Sequence, residues 1–241
     1  MFNKKQQTAV IFCGHGSRNK EYKKSFLIFK NKIKKNLNKF DYFHCFIEID
    51  EPSIENCLSE IVKKYKKILF FPLLLFNGDH LEEDVKKKIR TFNNLSGNKI
   101  ILLKKLSLKK EILSIYQNII QSYIKKDFNN CLITSCSVSK NLNVRNELEK
   151  YTNLISRKIK ISWTKFCQFG EEEKVLSELS QELNKNTSNL ILHPIYFFDG
   201  FIYKNVCIKF KKKFKKIKIL RPLSYNKEIL ELVQNKLLGV N

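Results

Sequence analysis

Thr8-Ala9-Val10-Ile11-Phe12-Cys13-Gly14-His15-Gly16-Ser17-Arg18 is a short apolar run that ends in a glycine-flanked histidine, ahead of a long Lys-rich helical pattern. The order strand, tight turn, helix puts His15 at a strand's carboxyl end. In open parallel α/β sheets the ligand crevice lies outside those ends, and the two glycines let another group approach the imidazole closely. Two later strand candidates finish alike: 42–48 closes on Glu48, and 68–75 runs into Phe76-Asn77-Gly78-Asp79-His80. The spacings, 48 − 15 = 33 and 80 − 48 = 32, are each one strand-loop-helix-loop unit. If consecutive units share one parallel sheet, His15, Glu48 and His80 converge on one rim. Two neutral nitrogen donors and a carboxylate make a divalent metal site.

Hydrophobic periodicity extends this unit along the chain. It predicts strands over 8–14, 42–48, 67–75 and 99–103, with helices over 20–38, 53–65, 81–94 and 109–126. The pattern then restarts, with strands over 131–135, 160–167, 189–196 and 216–220 and helices over 142–159, 171–185, 201–214 and 227–238. The sequence itself repeats. Phe71-Pro72 to Asn77-Gly78 aligns with His193-Pro194 to Asp199-Gly200 at an offset of 200 − 78 = 122, and Leu106-Ser107 aligns with Leu223-Ser224 at 223 − 106 = 117. The expectation is an α/β protein of two similar lobes, 1–127 and 128–241, each a parallel four-stranded sheet flanked by helices with right-handed crossovers. In this comparison Cys136 stands opposite His15, Ile202 stands opposite His80, and no carboxylate near Phe166-Cys167-Gln168 answers Glu48. One functional site, in the first lobe, is expected.

Composition narrows the function classes. The 43% hydrophobic and 29% charged content is that of a folded globular chain, and no apolar run is long enough to span a bilayer. The N-terminal stretch is too short for a signal h-region before Gly14, so a cytoplasmic protein is expected. Seven cysteines, an odd number without a Cys-x-x-Cys pair, read as buried reduced thiols and not as a disulfide framework or a zinc site. The net charge of +23 invites a nucleic-acid reading. Yet of 46 basic residues only Arg18, Arg90, Arg145, Arg157 and Arg221 are arginine, and the lysines spread over most solvent-facing helix positions. Such a surface suits a polyanionic small molecule as well as a nucleic acid, and neither a nucleic-acid nor a membrane partner is expected.

Other polar residues have structural readings. His44 lies inside the second strand and His193 precedes Pro194 without an evident partner, so both read as structural. Ser17 lacks the Gly-x-Ser-x-Gly setting of an elbow nucleophile and reads as a helix-start or anion contact, with Arg18 beside it suited to a carboxylate. Gly14-x-Gly16 has no third glycine for a dinucleotide fingerprint. Glu51-Pro52-Ser53 and Glu82-Glu83-Asp84 read as acidic helix starts.

Taken together, Gly14-His15-Gly16-Ser17-Arg18, Phe46-Ile47-Glu48 with Glu51-Pro52-Ser53, and Pro72-Leu73-Leu74-Leu75-Phe76-Asn77-Gly78-Asp79-His80 with Asp84 resemble the sirohydrochlorin chelatases of the class II chelatase group. The resemblance extends over nearly the whole chain, since long members are two fused lobes with the metal site in the first. It implies a chelatase-like fold and ATP-independent insertion of Co²⁺ or Fe²⁺ into sirohydrochlorin, an intermediate of cobalamin and siroheme synthesis. His15 and His80 would bind the incoming metal, Glu48 would assist binding or accept pyrrole protons, and Ser17, Arg18 and Gly78 would contact the substrate. The partners implied are the polycarboxylate tetrapyrrole and the metal ion, with no tightly bound cofactor and a monomeric chain. Asp84-Val85 leads into Lys86 where the family often has Pro, and the second lobe lacks the histidines. A non-catalytic metal or tetrapyrrole carrier is the competing reading, and turnover separates the two.

Overall fold

The structure, a computed structural model, describes residues 8–76, 85–96, 99–183 and 187–240. Its strands are β1 (Thr8–Gly14), β2 (Asp41–Phe46), β3 (Lys67–Pro72), β4 (Lys99–Leu102), β5 (Asn129–Cys136), β6 (Trp163–Gln168), β7 (Ser188–Pro194) and β8 (Lys218–Ile219). The helices are α1 (Lys20–Asn36), α2 (Ile54–Ile61), α3 (Lys87–Ser96), α4 (Leu113–Gln121), α5 (Leu142–Ser156), α6 (Glu172–Glu182), α7 (Phe201–Lys213) and α8 (Lys227–Leu238). Two parallel four-stranded sheets result, in the orders β2-β1-β3-β4 and β6-β5-β7-β8. This is the α/β architecture expected from the repeat.

β1 is buried on both faces because helices cover both. Ala9, Ile11 and Cys13 pack with Ile54, Leu58 and Ile61 of α2 and with Ile89 of α3. On the opposite face, the Phe12 ring lies 6.0 Å from those of Tyr42 and Phe71, and Phe26 of α1 lies 5.1 Å from Phe46. The buried residues Phe26, Phe29 and Ile33 of α1 fall at helical spacing, and Asn19 caps its start by accepting the Glu21 N–H at 2.9 Å. All seven cysteines are free, six of them buried.

By packing, the chain forms two compact units that cut across the sequence repeat. One comprises Met1–Leu106 with Leu230–Asn241, the other Ser107–Ile229. The expected lobes, 1–127 and 128–241, follow the sequence repeat, whereas by packing the last helix of each repeat joins the compact unit of the other. In the second unit α4 buries Ile115, Tyr116 and Ile120, and Gln117 donates to the Leu154 carbonyl of α5 at 3.2 Å. In the first unit Lys67 donates to the Val240 carbonyl at 3.3 Å. The helix expected over 109–126 begins as a π turn, Leu108–Ile112, and ends at Gln121.

His193 lies in the core of the second unit. Its ring stacks on Tyr116 at 4.2 Å, and its Nε2 is 3.0 Å from the Tyr151 hydroxyl. Burial pushes the Tyr151 hydroxyl far above its ordinary range, so it keeps its proton beside the imidazole. The same burial holds the imidazole down to about 3. With its pKa depressed on folding, His193 supports the fold fully above the unfolded value of about 6.5 and loses that support as pH falls towards about 3. Over that window it should contribute a slope of up to about 1.4 kcal/mol per pH unit. His193→Gln should flatten the acid limb of stability measured by denaturant titration across pH, and an unchanged limb would show that another group controls it.

Candidate functional site

The order β2-β1-β3 brings three carboxyl ends side by side in the first unit. His15 leaves the end of β1. β2 stops at Phe46, two residues short of the expected Glu48, because the chain turns there: Phe46 N–H donates to the Pro52 carbonyl at 2.9 Å and bridges to Ser53. Past that point Ile47 N–H donates to the Gly14 carbonyl at 3.0 Å, and Glu48 N–H to the His15 carbonyl at 3.1 Å. The loop after β2 is therefore laced to the loop after β1. Gly16, at φ 96°, makes this approach possible, since a Cβ there would lie 1.8 Å from the Glu48 carbonyl oxygen.

The two side chains meet. His15 Nδ1 lies 3.2 Å from Glu48 Oε1, both side chains being about half-exposed. When Nδ1–H donates to the carboxylate, Nε2 carries the lone pair, the arrangement by which a carboxylate orients a ligating imidazole. His15 N–H donates to the Tyr22 hydroxyl at 3.0 Å. Desolvation raises that hydroxyl well above its ordinary range, so it stays protonated. Ser17 N–H donates to Asp50 Oδ2 at 2.9 Å, its Oγ accepts the Asn19 N–H at 3.1 Å, and Lys23 Nζ lies 3.7 Å from Asp50 Oδ1. The Ser17 amide is thus taken by the Asp50 carboxylate. Arg18 is exposed. The expected members His80 and Gly78 lie outside the described residues. The strand that leads towards them adjoins β1, with Leu73 N–H donating to the Cys13 carbonyl at 2.8 Å.

Tyr22 and Asp50 escaped sequence reasoning, although one signal for Asp50 was present. Ser17 and Asp50 are separated by 50 − 17 = 33 residues, the same offset as His15 and Glu48. His44 is structural, as expected. Its Nδ1 lies 3.4 Å from Lys30 Nζ and its ring packs against Phe26 and Phe46. Burial, then Lys30 and Lys23, push it down to about 4. Glu51 and Ser53 start α2, with Ser53 Oγ accepting the Asn56 N–H at 3.2 Å.

The second unit corrects one alignment. Gly14 pairs with Phe46 and Cys136 with Gln168, and Phe169 N–H donates to the Cys136 carbonyl as Ile47 N–H does to that of Gly14. Cys136 thus stands opposite Gly14, not opposite His15. Ser137 takes the position of His15 and Gly170 that of Glu48, so the second unit carries neither member of the pair.

Between Glu48 and Asp50 sits Ile49, at φ 67° and exposed. A β-branched residue in the left-handed region carries strain of about 1–2 kcal/mol, which asparagine tolerates better. Ile49→Asn should raise stability by about 1 kcal/mol, read as a higher midpoint of thermal unfolding; a lower midpoint would mean that the isoleucine side chain is needed where it lies.

Residues 9–123 match the CbiX family. Among curated proteins, the sirohydrochlorin ferrochelatase of Priestia megaterium is 23% identical over 203 residues, covering 82% of this chain and 76% of the relative. The sirohydrochlorin cobaltochelatase of Sulfolobus acidocaldarius is 28% identical over 107 residues, 44% of this chain and 84% of the relative. Among solved structures, SirB from Bacillus subtilis with Fe3+ superposes with a TM-score of 0.76 at 18% identity, covering 96% of this chain and 94% of that one. The matched stretch, residues 9–123, is similar to the CbiX family and carries the His15–Glu48 pair.

Proposed function

We propose that this chain inserts a divalent metal ion, cobalt or ferrous iron, into sirohydrochlorin without ATP. The observation that carries the reading is the His15–Glu48 pair at 3.2 Å on the carboxyl rim of a parallel sheet, on loops held together by their own backbones. Names of the relatives, ferrochelatase and cobaltochelatase, support the same chemistry.

Metal insertion exchanges one aquo cation for two pyrrole protons. His15, oriented through Nδ1, offers Nε2 to the incoming ion and strips part of its water. Glu48 takes up positive charge, first from the ion and then as acceptor of one pyrrole proton, while the other passes to solvent water. His80 serves as a second nitrogen donor, with Ser17, Arg18 and Gly78 contacting the macrocycle. A borderline nitrogen donor binds Co²⁺ and Fe²⁺ alike, so the metal used follows supply more than geometry. The chain acts in this proposal as a monomer in the cytoplasm.

Turnover is the test. Purified protein with sirohydrochlorin and Co²⁺ or Fe²⁺ should give the metallated absorption spectrum over many equivalents and faster than the uncatalysed mixture. Binding of one equivalent without rate enhancement would replace the enzyme by a carrier.

A further inference from the structure

A cavity of about 480 Å³ opens beside the paired loops, walled by Ser17 and Asp50 and by the first turns of α1. Arg18, Lys20 and Lys24 line it, with Leu27 and Ile28 forming an apolar side. Among the described residues none of these three cations makes an ion pair, whereas Lys23 beside them is engaged by Asp50, the Glu51 carbonyl and the Phe46 ring. Asp50 is likewise committed, to the Ser17 amide. Unspent positive charge and an apolar wall thus occur together in a cavity of ligand size, two residues along the chain from each member of the His15–Glu48 pair.

We propose that this cavity takes one carboxylate-bearing edge of the tetrapyrrole, with Lys20 and Lys24 joining Arg18 as receptors for its acetate and propionate arms. The proposal rests on the metal-insertion reading for the identity of the macrocycle. It adds the residues that select a highly carboxylated one. A flat ring edge is apolar between its charged arms, and Leu27 with Ile28 offers the matching surface. Arginine gives a bidentate fork and the lysines adaptable point charges, so arms on adjacent pyrroles can be met without one fixed geometry. Selection follows because each arm replaced by a methyl group leaves a cation without its partner.

The test measures binding of metal-free sirohydrochlorin by absorbance titration at low and high ionic strength. The double variant Lys20→Gln/Lys24→Gln should raise Kd about 10-fold at low salt and weaken its salt dependence, and in turnover the loss should appear in KM more than in kcat. Lys32→Gln/Lys35→Gln, which removes the same charge farther along α1, should change Kd by less than about 2-fold. A tetrapyrrole whose acetate arms are decarboxylated to methyl groups should bind wild type less tightly, and the Lys20/Lys24 variant should lose that preference. Equal effects of the two double variants, no effect of either, or no binding of sirohydrochlorin by wild type would each overturn the proposal. Wild-type turnover with an unaffected Lys20/Lys24 variant would overturn this inference and leave the metal-insertion reading standing. Tight, salt-dependent binding without turnover would do the reverse.

Discussion

His15→Ala should lower the rate of metal insertion by at least about 100-fold, a loss of about 2.7 kcal/mol of transition-state stabilisation, with the fold intact. Removing a residue that merely orients a ligand costs about 10–100-fold, which loss of the ligand itself should equal or exceed. Stability should change by less than about 1 kcal/mol. The backbone groups that tie this loop survive the substitution, since His15 N–H still reaches Tyr22 and the His15 carbonyl still accepts from Glu48. Matched circular dichroism with a collapsed rate is the expected result. A rate within about 3-fold of wild type would remove His15 from the site. Glu48→Gln separates orientation from charge, because an amide oxygen can still accept from Nδ1 but takes up no proton. Its rate should fall about 10-fold, less than for His15→Ala. Such assays belong above pH 6.5, since the half-buried His44 and the buried His193, held down to about 4 and about 3, weaken the fold at lower pH whatever the site does.

The strands and their repeat were legible in the sequence because parallel strands covered on both faces are written as unbroken apolar runs. The offset of 122 holds in the sheets, where Cys13 pairs with Pro72 and Ser135 with Pro194. The drop to 117 reappears as well: the Phe70 carbonyl accepts from Leu103, and its equivalent at Leu192 accepts from Leu220. Packing of α4 and of residues 230–241 was not legible, since an apolar helical face shows that a helix is covered but not by which sheet. Glu48 was found in the right neighbourhood for an incomplete reason. Periodicity carried β2 two residues too far, because an exposed isoleucine at positive φ gives no sequence signal of a turn. Placing Cys136 opposite His15 was a one-residue error of the same kind. Similarity of residue type does not fix register where a strand gives way to a loop, whereas the ladder hydrogen bonds do.

Gly16→Ala should be as damaging as loss of the histidine itself, although it removes no functional group. The added Cβ would stand 1.8 Å from the Glu48 carbonyl oxygen and 3.0 Å from its carbon, and backbone atoms cannot yield by changing rotamer. Relief requires the loops after β1 and β2 to part. Parting breaks the Glu48 N–H bond to the His15 carbonyl and the Ser17 N–H bond to Asp50, and it carries Glu48 away from Nδ1. The expected outcome is a stability loss of more than about 2 kcal/mol, together with a rate lowered on the order of 100-fold at temperatures where the variant remains folded. The positive φ alone accounts for about 1–2 kcal/mol, and Gly170 supplies the control. It has φ 99°, occupies the position equivalent to Glu48 in the second unit, and has nothing within 4 Å of its would-be Cβ. Gly170→Ala therefore carries the dihedral cost without the collision, and its metal insertion should stay near wild type. If the two variants melt and turn over alike, the close approach of the two loops is not what assembles the His15–Glu48 pair.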